Sequence, residues 1–436
     1  MSETSGTLHP REQLPASDAG SFPALSRSFE ASAPPGCGPD RLMAAQDLQL
    51  TVADDLASAA AEWKTFEALA DHTPFQTFAW LEKWQHHIGS RRGTVPAIVF
   101  GRARETGLLF ILPFAIETRR GLRRLTWFGS ELGDYNAPLL AKSFTGHPAA
   151  NQFAVVWQSV VKLLQADPRY RFDLVDLQKM PEMVGQQENP FLRLKVLLNR
   201  SGAYVAKLGR DWEEYYGAKR SASTRKTARR KQRQLEEHGK LSFVQPVEPS
   251  EAIHALETLV EQKTSFFTRM GVENIFNRSG YPAFYQAIAT DLDTRDLVHV
   301  SRLDVGQAVG AVSVGLKFRD CYYLILSSYN PGEISRFGPG TAHLHELLRH
   351  CIGLGFRHFD FTIGDEPYKL DWADTKLALY DYLSAATLSG LLAVTGTTLL
   401  RRTTRFIKQT PILWRGAKKI RTLTRQFGPS SGHGDE

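Results

Sequence analysis

Alternating and helical spacings of apolar residues follow one another in the same order in both halves of the chain. In the first half, residues 95–101, 108–116 and 122–128 are apolar or alternating runs separated by turn residues, which predicts three antiparallel strands. The loop Gly133-Asp134-Tyr135-Asn136-Ala137-Pro138 follows, then a helical spacing over 151–165. Phe172-Asp173-Leu174-Val175-Asp176-Leu177 then alternates apolar and acidic as a strand does. In the second half, residues 297–303, 309–318 and 321–329 predict three further strands. Next come a loop and a helix over 341–354, whose Leu344, Leu347, Leu348, Cys351 and Ile352 fall at i, i+3, i+4, i+7 and i+8. A strand over 357–363 closes the series, and Phe359-Asp360-Phe361 stands where Phe172-Asp173-Leu174 stands in the first half. The pattern predicts a mixed-sheet α/β chain that repeats one unit: three antiparallel strands, a loop, a helix and a strand.

Other segments flank this repeat. An alanine-rich spacing predicts a helix over 52–70, and Thr77 is placed to cap a second helix in which Leu81, Trp84 and Ile88 share a face. Helices are expected over 252–270, which contains Phe266-Phe267, and over 281–293. Between the halves lies a basic helix over 219–235, with Arg225, Arg229 and Arg233 in one stripe and Lys226, Arg230 and Gln234 in the next. Residues 1–45 combine low hydrophobicity with many helix breakers and no periodicity, as a disordered tail does, and they hold no apolar stretch of the secretory kind. The expected organisation is therefore a tail over 1–45, one α/β unit over 46–208, a second over 209–390 beginning with the basic helix, and a basic amphipathic segment over 391–436.

Charge adds to this picture. The 436 residues carry 53 Lys and Arg against 46 Asp and Glu, a net +7 that favours anionic partners. The basic helix lacks interleaved aromatics and any DNA-binding pattern, so a solvated face, or a patch for an anionic saccharide, lipid or phosphate, is expected there rather than nucleic acid. No acid occurs between Asp381 and Asp435, while Arg401, Arg402, Arg405, Lys408, Arg415, Lys418, Lys419, Arg421 and Arg425 alternate with Leu399, Leu400, Phe406, Ile407, Leu413 and Trp414. That composition is interfacial, and no run of apolar residues is long enough to span a bilayer. A cytoplasmic protein, peripheral to the inner membrane, is the expectation. Cys37, Cys321 and Cys351 have neither disulfide nor metal spacing. His343, His345, His350 and His358 cluster near one helix without a further element to complete a site, so no metal is expected.

Two neighbouring stretches carry candidate chemistry. Arg336-Phe337-Gly338-Pro339-Gly340-Thr341 joins a strand to a helix. Glycines allow close approach of the backbone, Arg336 supplies charge, and the helix start offers free N–H groups, a combination suited to a pyrophosphate. The spacing is neither that of a dinucleotide fingerprint nor that of a P-loop. Downstream, Asp360, Asp365 and Glu366 are candidate bases, Tyr329 and Tyr368 candidate acids, and Lys369 a candidate for holding an anionic acceptor. The first half has no such loop: residues 141–150 hold one glycine and no arginine, and its Asp134-Tyr135 loop is a candidate to face the acceptor.

The run Arg336–Thr341 resembles the pyrophosphate loop of the GNAT acyltransferase superfamily. The segment from Phe359 through Asp365-Glu366-Pro367-Tyr368-Lys369 to Trp372 resembles the ending of the CelD-type branch, associated with cellulose and exopolysaccharide synthesis. The paired halves, the Pro74-Phe75-Gln76 to Trp80-Leu81 opening and the basic helix are similar to the double GNAT arrangement of FemABX-type transferases. Pro339 departs from the general superfamily loop. The resemblance covers about residues 48–385. It implies a tandem GNAT-like acyl-CoA N-acyltransferase fold. It also implies acetyl-CoA or another acyl-CoA as donor, bound once in the second half, and an amine or saccharide-linked acceptor. Two alternatives share this resemblance: a degenerate scaffold of a polysaccharide synthase, and an aminoacyl transferase using charged tRNA.

Overall fold

The structure, a computed structural model, describes residues 48–409. The expected N-terminal tail, Cys37 and most of the C-terminal basic segment lie outside the described residues.

The first half opens with β1 (Leu48–Ala53), α1 (Leu56–Glu67) and α2 (Phe78–Trp84). β2 (Val95–Ala103), β3 (Gly107–Arg119) and β4 (Leu122–Trp127) form a meander, and β5 (Leu139–Leu140) pairs with β3. α3 (Pro148–Asn151) and α4 (Phe153–Ala166) lead to β6 (Leu174–Pro181) and a small hairpin of β7 (Met183–Val184) and β8 (Gln187–Glu188). β9 (Leu197–Leu198) and β10 (Ala203–Lys207) connect to α5 (Trp212–Lys219) and α6 (Ala222–Glu236). The second half contains β11 (Leu241–Val244), α7 (Pro249–Met270), α8 (Tyr281–Thr290), β12 (Val298–Val305), β13 (Ala308–Phe318) and β14 (Cys321–Tyr329). α9 (Pro339–Gly353), β15 (His358–Ile363), α10 (Pro367–Leu370), β16 (Thr375–Leu377), β17 (Leu379–Ala385) and α11 (Leu388–Gln409) complete it.

Two local expectations change. The 52–70 stretch is a strand followed by a helix, because Leu48 to Ala53 pair antiparallel with Ala103 to Ile98. Asp55 then caps α1, accepting from the Ser58 N–H at 2.7 Å. The 219–235 helix begins earlier and is interrupted: α5 ends at Lys219, and the Ser221 hydroxyl accepts from the Thr224 N–H to start α6 afresh.

The two sheets share one plan. The order is β1-β2-β3-β4-β6-β17-β9 in one and β11-β12-β13-β14-β15-β10-β16 in the other. In each, a meander ends on a parallel pair, β4 with β6 and β14 with β15, and the parallel strand then takes an antiparallel neighbour. That neighbour comes from the other end of the chain. β17 pairs with β6, and β10 pairs with β15. Residues 203–207 thus precede the boundary expected at 209 but belong to the second sheet, whereas 379–385 follow it and belong to the first.

The halves also share a core. One cluster joins Trp63, Trp80 and Trp84 to Leu256, Phe284 and Val312, and the Trp80 ring meets Phe284 edge-on at 4.9 Å. Each such buried aromatic or aliphatic side chain contributes roughly 1.5–3 kcal/mol through removal from water. Beside this core, fully buried Asp71 accepts from Lys142, from Arg319 at 3.2 Å and from the Gln187 amide at 2.9 Å. Arg319 also donates to the Ala70 carbonyl, so the β13–β14 turn grips the first half.

Candidate functional site

β14 and β15 pair only from Cys321↔His358 to Tyr323↔Asp360. Beyond Asp360 the two strands part, and β14 continues to Tyr329 past a bulge opposite Val314 and Gly315. A wedge therefore opens in the second sheet, and the loop expected to hold phosphate stands at its end. Glu333–Phe337 form a 3-10 turn, and Gly338 takes φ 72° and ψ 55° immediately before α9. That left-handed conformation is inexpensive only for glycine. Pro339 is the first helical residue and has no N–H to lose. Gly340 lies against Tyr329, the half-exposed last residue of β14. Arg336 stacks over the neighbouring Phe337 ring, and Thr341 follows in the first turn of α9.

The other face of the site is built where the two halves meet. The Tyr135 hydroxyl, from the loop after β4, is 2.8 Å from both carboxyl oxygens of Asp360 on β15. The Thr362 N–H also donates to Asp360 at 2.7 Å. Asp360 is 3 % exposed. Burial pushes its carboxyl up to about 7, although the hydrogen bonds from Tyr135 and Thr362 oppose the rise. Thr362 itself has φ 57°, a strained value for a β-branched residue, and its hydroxyl donates across the wedge to the Leu324 carbonyl at 3.0 Å. Neighbouring Asp134 is partly buried, and burial raises its carboxyl against the pull of Lys179, the Thr362 hydroxyl and Lys369.

Three lysines face these acids. Lys369, only 3 % exposed, donates to the Ile363 carbonyl at 3.0 Å and pairs with Glu366 at 2.9 Å. Lys179 has φ 60° on a bulge of β6 and donates to the Gly133 carbonyl at 2.6 Å, holding the Asp134 loop. Lys263, on α7, is half-buried; burial lowers its ammonium, Glu366 draws it back up, and Lys369 depresses it further. Glu366 keeps its carboxylate exposed at the open end of this group. Tyr368 lies by Ser327 of β14, and burial raises its hydroxyl to about 12.

The structure thus brings Asp134, Tyr135, Asp360, Glu366 and Lys369 together where the two halves meet, with the partly exposed Tyr368 beside them. Tyr329 stands apart at the glycine loop with Arg336, Phe337, Gly338, Gly340 and Thr341. Asp365 turns to the opposite edge, accepting from the Tyr204 hydroxyl at 3.2 Å and lying 3.7 Å from Lys376. At the corresponding place in the first half a 3-10 turn, Phe144–Gly146, also leads to a helix opened by a proline, Pro148, but without an arginine and without a glycine of positive φ. Asn136, in the loop after β4, bonds to the Gln178 and Lys179 carbonyls beside β6. His343 is held under the second sheet by the Ser301 and Ser313 hydroxyls at 3.1 and 3.3 Å. Lys263, Thr362 and Lys179 were not singled out from sequence. Lys263 did leave a signal, since it follows Leu256 and Leu259 at i+7 and i+4, on the apolar stripe of its helix. Thr362 and Lys179 left none, because a backbone dihedral has no side-chain signature.

The chain is similar to several known proteins. The profile of an acetyltransferase (GNAT) domain family matches residues 222–370. No curated protein sequence matches the chain. Among solved structures, FemX is similar at 9% identity over 77% of this chain and 97% of its own, with a TM-score of 0.51. A conserved protein of unknown function from Bacteroides thetaiotaomicron VPI-5482 is 10% identical over 76% of this chain and 99% of its own, TM-score 0.48. A tandem GNAT protein from the clavulanic acid biosynthesis pathway is 11% identical over 78% and 98%, TM-score 0.44. The chain has a mixed α/β, GNAT-like fold, with one plan repeated in its two sheets.

Proposed function

We propose that the chain is an acyl-CoA-dependent N-acyltransferase that binds its donor in the second half and its acceptor beside exposed Glu366, where the halves meet. The observation that carries this reading is the coincidence of the β14–β15 wedge with a basic, glycine-opened helix start at its end. The thioester limb would lie in the wedge and the pyrophosphate on Arg336, Gly338, Gly340 and Thr341. Tyr329 belongs with that loop rather than with proton transfer.

In the proposed reaction, the acceptor ammonium gives one proton to the exposed carboxylate of Glu366, and the resulting amine attacks the thioester carbonyl. The tetrahedral intermediate still carries the second proton its nitrogen must lose; as the C–S bond breaks, that proton passes through the Tyr368 hydroxyl to the departing thiolate, which leaves Tyr368 neutral. Asp360 and Tyr135 are buried too deeply to meet substrate and act as positioning residues that join the halves. Half-buried Asp134 and Lys263 line the acceptor side, Lys263 as the cation for an anionic acceptor group, while Lys369, as buried as Asp360, positions Glu366 through their ion pair. The likeness of 359–372 to CelD-type endings supports a saccharide-linked amine as acceptor. An aminoacyl transfer from charged tRNA has the cationic α6 in its favour. The loop at the start of α9 favours CoA.

Isothermal titration of the intact chain with CoA tests the donor assignment. Saturable binding is expected, with loss of at least about tenfold in affinity for Arg336→Glu, since a charge reversal at a phosphate contact costs more than about 1.4 kcal/mol. Absence of binding at millimolar CoA, or unchanged affinity in the variant, would overturn it.

A further inference from the structure

The last described helix turns its apolar side away from its own protein. α11 is anchored at its start by Asp173, whose side chain accepts from the Thr387 and Ser389 hydroxyls at 2.8 and 3.0 Å and whose carbonyl accepts from the Ala386 N–H at 2.8 Å. Gly390 faces that anchor so closely that a Cβ there would stand 1.8 Å from the Asp173 carbonyl oxygen. Gly390 is buried, and Ala393 and Val394 are half-buried. On the other side, Leu388 is 83 % exposed, Leu391 52 % and Leu392 77 %. With exposed Thr395 they occupy i, i+3, i+4 and i+7, one continuous face. Small residues rest on the protein and leucines meet solvent, the reverse of a helix whose only task is to cover its own sheet.

What covers that face follows from charge. The chain from Tyr382 to Gly434 contains no acid, and α11 itself contributes Arg401, Arg402, Arg405 and Lys408. A second copy would set like charge against like charge with no carboxylate on either segment to pair it. An anionic lipid surface supplies the missing charge and takes leucines at the same time. Among the described residues no helix is long and apolar enough to cross a membrane, so α11 would lie along the surface. We propose that α11 seats the protein on an anionic membrane through Leu388, Leu391 and Leu392, independently of the acyl-transfer reading.

Flotation of the full chain with vesicles tests this. The protein should rise with phosphatidylglycerol-containing vesicles, stay behind with pure phosphatidylcholine, and be partly released by added salt. The triple variant Leu388→Ser, Leu391→Ser, Leu392→Ser should lose at least about tenfold in partitioning, while its circular dichroism and unfolding midpoint match the parent. The proposal fails if the parent stays behind with phosphatidylglycerol vesicles at low salt. It also fails if the variant partitions as the parent does, or if the parent is a dimer in light scattering that the variant converts to monomer without any vesicle binding.

Discussion

Asp360 and Tyr135 are 225 positions apart and share one proton-bearing contact. Both were singled out from sequence, Asp360 as an acid at a strand end and Tyr135 as part of a polar loop. Their meeting was not legible, because nothing local to either residue encodes a partner so remote. The contact has a measurable signature. Asp360 has an ordinary value of 3.8 and a folded value of about 7, so the folded chain holds this proton more tightly than the unfolded one does. The stability it contributes is full below about pH 4 and disappears as pH rises to about 7, by up to about 4 kcal/mol in all. Asp360→Asn keeps an acceptor for Tyr135 and Thr362 but removes the titration. Urea unfolding at pH 4.5 and 7.5 should therefore show the variant gaining on the parent by at least about 2 kcal/mol at the higher pH. A gap that does not change with pH would mean that this carboxyl does not titrate in that window. Thr362 shows a different limit to reading. Its strained backbone, of the kind that costs about 1–3 kcal/mol, is tolerated where the wedge opens, and no residue pattern announces it.

At the scale of elements, the meanders, α4, α9 and β15 were readable from period alone, since each buries one continuous apolar face. The misread segments were those in which a polar cap or a long-range pair overrode the local pattern, as at Asp55 and Ser221. The two β-turns closing the matching hairpins are instructive. Arg120 and Arg319 occupy equivalent turns with φ 53° and 55°, but only Arg319 reaches buried Asp71 and the Ala70 carbonyl of the other half. Replacement by glycine removes backbone strain at both positions and removes an interhalf clamp at one. Arg120→Gly should remain within about 1 kcal/mol of the parent. Arg319→Gly should lose about 1–3 kcal/mol in denaturant unfolding, because Asp71 keeps Lys142 and Gln187 but loses a charged donor. Equal effects at the two turns would remove the clamp from the account of how the halves are held.

For the whole molecule, the tandem repeat was visible in the order of spacings, while the exchange of strands was not. Residues 203–207 and 379–385 are short runs, and a short run does not state which sheet it completes. The exchange predicts how the protein divides. A fragment of residues 209–390 retains the loop and wedge but lacks β10, leaving β15 with an open edge, and carries β17 without β6. It should aggregate or unfold without cooperativity, whereas an extension back to residue 200 should recover a sharper transition by circular dichroism. A fragment from 209 that unfolds as cooperatively as the intact chain would show that β10 is dispensable. The same exchange orders events during synthesis. Lys179 of β6 receives its Asp381 partner 202 residues later, so the half translated first is also the half completed last. Until the ribosome delivers β17, β6 is a waiting template, whereas β10 already stands ready when β15 emerges. A stop codon shortly before Leu379 would therefore spare the later-made sheet and strand the earlier one.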